Sequence, residues 1–247
     1  MKKLTLFAFM LGGFLSQAQN NLTIEEATLG AQRGFGTKAI YGAQWRTNNE
    51  LTYIDASYKA LVSKKTDKST VENFVTTADL ESAIAAATNE KVSLRTIPFD
   101  YHWENDKEFA FTYQGENDKY FVLYNVEAKK VSKIIKFNAL AAEEIIAPNK
   151  NYIVYLNKNN VEIVFNNGEV VKVTNDPDHV INGSSNTHRN EFGIDRGMWV
   201  SPDSKKILFY KKDERMVKDY PLVDFGARIA EEKPIKYPMA GLKSEEV

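Results

Sequence analysis

The sequence has 247 residues, with 32 basic against 33 acidic side chains and a formal net charge of −1. That balance argues against nucleic-acid binding, which draws on a basic surplus. A hydrophobic fraction of 43% with 12% aromatics excludes a disordered chain, and the absence of cysteine excludes disulfides, thiolate metal sites and a cysteine nucleophile together.

In chain order, residues 1–18 read as an address. Lys2 and Lys3 form a positive start, Leu4 to Phe14 an apolar run, and Ser16-Gln17-Ala18 a small-residue cleavage site. A membrane span needs about 20 apolar residues, more than this run supplies. The sequence therefore predicts a signal peptide over residues 1–18 and an exported, periplasmic or secreted, mature domain over residues 19–247. Cleavage leaves 30 basic against 33 acidic residues, and a chain without cysteine suits an oxidising compartment.

Thr23-Ile24-Glu25-Glu26 is a capping-box pattern that starts a short helix through Leu29. Thr76 with Asp79 three residues on predicts a second helix over Ala78–Ala87. Nearly everything else reads as strand. Phe109–Tyr113, Tyr120–Tyr124, Tyr152–Tyr155 and Ile207–Tyr210 are aromatic and β-branched runs bounded by polar turn clusters. Val161–Phe165, Asn166-Asn167-Gly168 and Val170–Val173 predict a hairpin in which Asn167-Gly168 supplies the positive φ angles of a tight turn.

A weak repeat runs through these strands. Its copies begin at Trp45, Trp103, Ala147 and Ser201, and each has an apolar anchor, a polar turn and a strand with three apolar residues. The spacing of about 43 to 58 residues is that of propeller blades. One blade cannot cover both of its faces, whereas stacked blades cover each other. The expected fold is all-β: a partial β-propeller of about four blades, each a four-stranded antiparallel sheet, with one or two short helices. An open antiparallel sandwich is the alternative. Propellers have about four to eight blades, and the sequence stops where another strand is expected, so a ring closed by this chain alone is not expected.

Residue chemistry offers little more. No Gly-x-Ser-x-Gly turn occurs, and His102, His179 and His188 select no serine–histidine–acid trio. His102 reads as a blade residue and His179 as a turn. Asp176-Pro177-Asp178-His179 lacks a second ligand cluster, so no metal or other cofactor is expected. Lys129-Lys130 and Lys211-Lys212 read as solvated pairs on hairpins, and Asn21 and Asn182 stand in glycosylation-type sequons.

The C-terminal third carries a specific set of words: Asn182-Gly183, His188–Ile194, Trp199–Asp203, Asp213-Glu214, Met216-Val217, Tyr220–Asp224 and Lys233–Gly241. In these the chain resembles the bacterial dipeptidyl peptidase IV family of the prolyl-oligopeptidase clan, with a weaker match from about Leu22 to Asp178. The resemblance implies an N-terminal eight-bladed propeller joined to an α/β-hydrolase domain, a homodimeric full-length protein, and release of X-Pro or X-Ala dipeptides from a free N-terminus. It also implies that a short helical excursion from the propeller holds the α-ammonium of the substrate. The matching position is Glu191, preceded by Asn190 where mammalian relatives carry a second glutamate; Asn190 can still accept a hydrogen bond through its amide oxygen. The arginine with which the family holds the substrate carbonyl has no counterpart between Gln114 and Tyr120. The chain thus reads as a propeller region whose catalytic domain is absent, not an active enzyme on its own. A non-catalytic peptide- or protein-binding module is the rival reading.

Overall fold

The computed structural model describes residues 23–30, 39–188, 193–226 and 228–247. The chain divides into two compact units, residues 1–40 and residues 41–247. Residues 1–18, where the signal peptide is expected, lie outside the described residues. In the first unit, α1 (Ile24–Leu29) starts at the expected capping box: the Thr23 hydroxyl accepts the Glu26 amide, and the Glu26 side chain accepts the Thr23 amide. No described helix is long and apolar enough to cross a membrane.

The second unit is a partial propeller. Blade one is the sheet β1 (Tyr41–Thr47), β2 (Glu50–Ile54), β3 (Ala60–Lys65) and β4 (Val71–Thr76), antiparallel and in chain order. Then comes α2 (Thr77–Thr88), capped by Thr76 and Asp79 as the sequence predicts and closed by Asn89 in the left-handed region. Blade two is β5 (His102–Asn105), β6 (Glu108–Gln114), β7 (Asp118–Asn125) and β8 (Lys130–Asn138). Blade three is β9 (Ala142–Ile146), β10 (Tyr152–Asn157), β11 (Asn160–Phe165) and β12 (Val170–Lys172).

The β11–β12 hairpin has the predicted register, Glu162 opposite Lys172 and Val164 opposite Val170. Its turn differs in one respect: Gly168 alone takes a positive φ, +84°. Gly168 N–H donates to Phe165 O and Phe165 N–H to Glu169 O, which is a type I turn closed by a glycine bulge, so only one residue needs the left-handed region.

Strand periodicity explains the packing. Successive side chains of a strand point to opposite faces, and here each face meets a different blade. Phe109, Phe111, Tyr120, Val122 and Tyr124 pack toward blade one, with Ile54, Leu61 and Val75. The alternating residues Ala110 and Phe121 pack with Ile153, Tyr155 and Val164 of blade three. Blade three repeats the division, because Tyr152, Val154 and Leu156 meet Met198 of the next blade. A strand covered on both sides needs apolar residues at both parities, which is why these runs are continuous and not alternating. On α2, Leu80, Ala83 and Ile84 cover the blade one–two core.

Each repeat copy is the first hairpin of a blade, and each is tied to the next copy by polar contacts. Arg46 Nε donates to Asp106 O (2.6 Å), while its guanidinium lies 5.3 Å from the Trp103 ring centre. Lys150 pairs with Glu104 at 2.7 Å. The Asn149 amide donates to Ser204 Oγ (3.0 Å), and the Tyr152 hydroxyl to Ser204 O (2.8 Å).

The fourth copy is more fragmented. β13 (Val180–Asn182) pairs with β16 (Lys211–Asp213), and β14 (Met198–Val200) with β15 (Ile207–Phe209). A hairpin arm follows, formed by β17 (Asp219–Tyr220), β18 (Val223–Asp224), β19 (Glu231–Glu232) and β20 (Ile235–Lys236). Tyr220 opposes Ile235 and Val223 opposes Glu232, so one continuous register places Pro221 against Pro234. Neither proline has an N–H to give, and the ladder breaks there.

Candidate functional site

Antiparallel order brings a definite set of connections to one end of the blades. In blade two, the end where the chain enters β5 is also that of the β6–β7 turn and the exit of β8. α2, the β6–β7 turn, the β8–β9 link and the segment before β14 therefore share that end.

The segment before β14 leaves and returns through a narrow neck. Gly183, at φ +67°, donates its N–H to Tyr210 O (2.8 Å), and Tyr210 N–H donates to Gly197 O (2.9 Å). Gly197 lies so close to the Ser184 carbonyl that a Cβ there would stand 2.2 Å from the oxygen, so only glycine fits. From this neck a 3₁₀ turn, Ser185–His188, rises, with Thr187 N–H donating to Ser184 O (3.1 Å) and Asn186 N–H to Ser184 Oγ (3.1 Å). Residues 189–192, which include Asn190 and Glu191, lie outside the described residues. The described chain resumes at Gly193, φ +71°.

Blade three holds the base of this turn. Glu143 Oε2 accepts the Ser185 amide at 2.7 Å, and Oε1 accepts the Ser184 and Ser185 hydroxyls at 3.2 and 3.0 Å. Glu143 sits in a bulge of β9: Ile145 faces Val154 and Ala142 faces Leu156, leaving two residues opposite Tyr155. Its φ is +52°, a conformation that disfavours a non-glycine residue by about 1–2 kcal/mol.

Beneath the turn opens a cleft of about 560 Å³, bordered by the first strands of blades two, three and four and lined in part by His102, Glu143, Glu144, Lys150, Arg196 and Trp199. Most charges here are already engaged. Glu104 accepts from His102 Nε2 (2.9 Å) and Lys150 (2.7 Å), and Lys119 bonds Ala141 O (2.7 Å) and Glu144 (3.2 Å). Lys119 therefore serves the β8–β9 link. Among the described residues, Arg196, largely exposed, has a 3.8 Å approach to Asp195 as its ion pair.

At the same end of blade two lies a cluster that sequence reading missed. Tyr120 donates its hydroxyl to Glu90, Lys136 pairs with Asp118 (2.9 Å) and Glu90 (3.2 Å), and Tyr113 stacks on Tyr120 at 4.8 Å. The Tyr120 hydroxyl and Lys136 hold the Glu90 carboxyl below its usual range, and Asp118 and Glu90 raise the Lys136 ammonium. Glu90 and Tyr120 stand 30 residues apart, so no local pattern announces the pair.

The remaining candidates resolve as structure. His179 is a turn residue at φ +68°, with its ring 3.7 Å from Glu214. Asp176 bonds Lys211 (2.8 Å) and the Asn182 amide, and no metal-ligating cluster occurs among the described residues. Asn182 is fully buried and donates to Asn159 O and Asp176, so this sequon asparagine is closed to a glycosyltransferase. Lys212 corrects its expected solvation: only 4% exposed, it pairs with Glu214 at 3.2 Å, since a buried ammonium requires a carboxylate. Asn182 Oδ1 and Thr187 Oγ1 are buried without a partner among the described residues.

A family model described as the dipeptidyl peptidase IV (DPP IV) N-terminal region matches residues 102–247, more than half of the chain. A crystal structure of a candidate dipeptidyl aminopeptidase IV from Bacteroides ovatus is similar at 28% identity and a TM-score of 0.66, over 84% of this chain and 27% of that one. The Porphyromonas gingivalis dipeptidyl peptidase 4 shares the fold at 18% identity and a TM-score of 0.54, over 93% of this chain and 33% of that one. The chain thus spans about a quarter to a third of the length of these proteins. With its stacked blades and its family match together, this chain belongs to the dipeptidyl peptidase IV family and carries its N-terminal β-propeller region.

Proposed function

We propose that this propeller region serves an exported serine exopeptidase of the dipeptidyl peptidase IV type, where it anchors the free amino terminus of a peptide. Residues 1–18 act as the signal peptide and residues 19–247 as propeller. Glu191 accepts the substrate's α-ammonium, with Asn190 Oδ1 as a second acceptor. A charge-assisted hydrogen bond of this kind contributes about 1.5–3 kcal/mol, and a tether of fixed length places the second peptide bond at the reacting centre. Acyl transfer to a serine and hydrolysis belong to an α/β-hydrolase domain.

The observation that carries this reading is the rooted turn at residues 183–188 and 197, which leads directly into Glu191 on a chain of this family. The described carboxylates Glu143 and Glu144 are committed to Ser184, Ser185 and Lys119. The hairpin arm supports a homodimeric assembly, because Phe225 and Ile229 expose about four-fifths of their surface there.

The test is kinetic, in the polypeptide that joins this propeller to its hydrolase domain. Glu191→Gln is expected to raise KM for Gly-Pro and Ala-Pro chromogenic amides; unchanged kinetics contradict the anchor. The 247-residue chain alone is expected to show no turnover of the same amides. Turnover blocked by a serine-reactive reagent contradicts the division of labour.

A further inference from the structure

We propose that Asn167 is a site of spontaneous deamidation, and that the fold protects Asn182, which stands in the same Asn-Gly dipeptide, from that reaction. The proposal is independent of the anchoring role of Glu191.

The chain has two Asn-Gly pairs, Asn167-Gly168 and Asn182-Gly183. Glycine has no Cβ to shield its amide nitrogen, which can therefore reach the preceding side chain. The deprotonated nitrogen forms a bond to the asparagine Cγ, and negative charge collects on Oδ1. The Cγ–Nδ2 bond then breaks, and Nδ2 takes up a proton and leaves as ammonia. Water opens the resulting five-membered imide at either carbonyl. Opening at Cγ gives aspartate; opening at the main-chain carbonyl gives isoaspartate, with the backbone running through the side chain. Water enters, ammonia departs, and nothing is oxidised or reduced.

At Asn167 the surroundings favour each step. Oδ1 accepts the Glu169 amide at 3.0 Å, so an N–H already faces the atom on which charge develops. The residue is exposed, and ammonia leaves into solvent. Gly168 N–H must first release Phe165 O (2.9 Å). That requires only a local opening, because the turn leads into β12, an exposed strand of three residues at the edge of its sheet.

At Asn182 each condition is reversed. The residue is fully buried, and its Oδ1 has no partner among the described residues, so an oxyanion would form there without a donor. Nδ2 is held by Asn159 O and Asp176, each at 3.1 Å, which sets a carboxylate beside the amide whose carbonyl must turn negative. Gly183 N–H donates to Tyr210 O (2.8 Å), and Gly183 packs against Leu156, Val161 and Met198. Freeing it means opening the contact between blades three and four.

The reaction would alter a surface. The Asn167 turn shares a cleft of about 270 Å³ with Glu90, Tyr120 and Lys136. A carboxylate at position 167 brings a further negative charge to a cluster in which Glu90 and Asp118 already share Lys136. Isoaspartate, with its longer backbone, no longer fits the two hydrogen bonds that close the turn.

Peptide mapping by mass spectrometry tests this on the 247-residue chain, incubated folded and in denaturant in one mildly alkaline buffer. A deamidated peptide gains the mass of an oxygen less that of an NH group, and an isoaspartyl methyltransferase marks the isoaspartate. In denaturant the two asparagines should react at similar rates. In the folded chain Asn167 should react at least about tenfold faster than Asn182. Equal rates in the folded chain, or a faster Asn182, overturn the proposal. So does an intact Asn167 in the folded chain over a time in which the denatured chain is modified at both positions. The same ratio of rates in both conditions would place the difference in local sequence and would overturn it as well.

Discussion

In blade two, β6 and β7 run for seven and eight residues, and Phe109, Phe111, Phe121 and Tyr124 are almost fully buried between two neighbours. In blade four the described strands are two or three residues long, and Leu208, Phe225 and Ile229 stand mostly exposed. Beside its Met198 core contact, blade four carries surface charge pairs: Lys211 with Asp176, Lys236 with Asp219, Lys233 with Asp224 and Arg215 with Asp213. Each buried aromatic contributes about 1.5–3 kcal/mol, whereas an exposed ion pair contributes about 0–1 kcal/mol. One repeat therefore gives two kinds of blade, according to whether both faces are covered. The segment that leads to Glu191 rises at the boundary between these regimes, tied to blade three by Glu143 and to blade four by Gly197.

The largest effect that would sharpen this contrast is expected from Phe109→Ala. It should lower the free energy of unfolding by about 3–5 kcal/mol in a denaturant titration, while Leu208→Ala changes it by no more than about 0.5 kcal/mol. Equal losses at the two positions would break the comparison. Next in size is Gly197→Ala. A methyl group set against the Ser184 carbonyl should cost about 1–3 kcal/mol and raise exchange over residues 184–188. Tyr152→Phe removes only the hydroxyl that reaches Ser204 O, so a loss of about 0.5–1.5 kcal/mol is expected, with new exchange confined to the β14–β15 hairpin.

The smallest effect is one of pH. The Arg215 guanidinium beside Asp213 lowers its carboxyl from 3.8 to about 2. A lowered carboxyl stabilises the fold above its unfolded value and loses that contribution as pH falls through the folded one. Acid should therefore loosen the contact between pH 3.8 and about 2. NMR titration of Asp213 should give a midpoint near the lower figure, and Arg215→Ala should bring it back toward the ordinary range.

Much of the fold was legible because a blade's first hairpin has a fixed chemistry: an anchor, a polar turn and an apolar run. Trp45, Trp103, Ala147 and Ser201 mark those hairpins, and Thr76 with Asp79 marks α2. What stayed hidden depends on partners far apart in sequence. No local pattern shows that Phe109 serves one interface and Ala110 the other, since both are simply apolar. Glu143 reads as an ordinary acid until the bulge in β9 and the approach of Ser185, 42 positions later, give it a task. The fragmentation of the hairpin arm was signalled in principle by Pro221 and Pro234, but only the register places them face to face. At the neck, Gly197 had a meaning that only the Ser184 carbonyl discloses.

The most direct measurement is the KM for Ala-Pro chromogenic amide, compared between Glu191 and Glu191→Gln in the polypeptide that joins this propeller to its hydrolase domain. A loss of about 1.5–3 kcal/mol of ammonium binding corresponds to a rise of roughly tenfold to a hundredfold, and that rise should vanish for a substrate with an acetylated amine. Equal KM values for the two forms would contradict the claim that this propeller holds a peptide by its amino terminus.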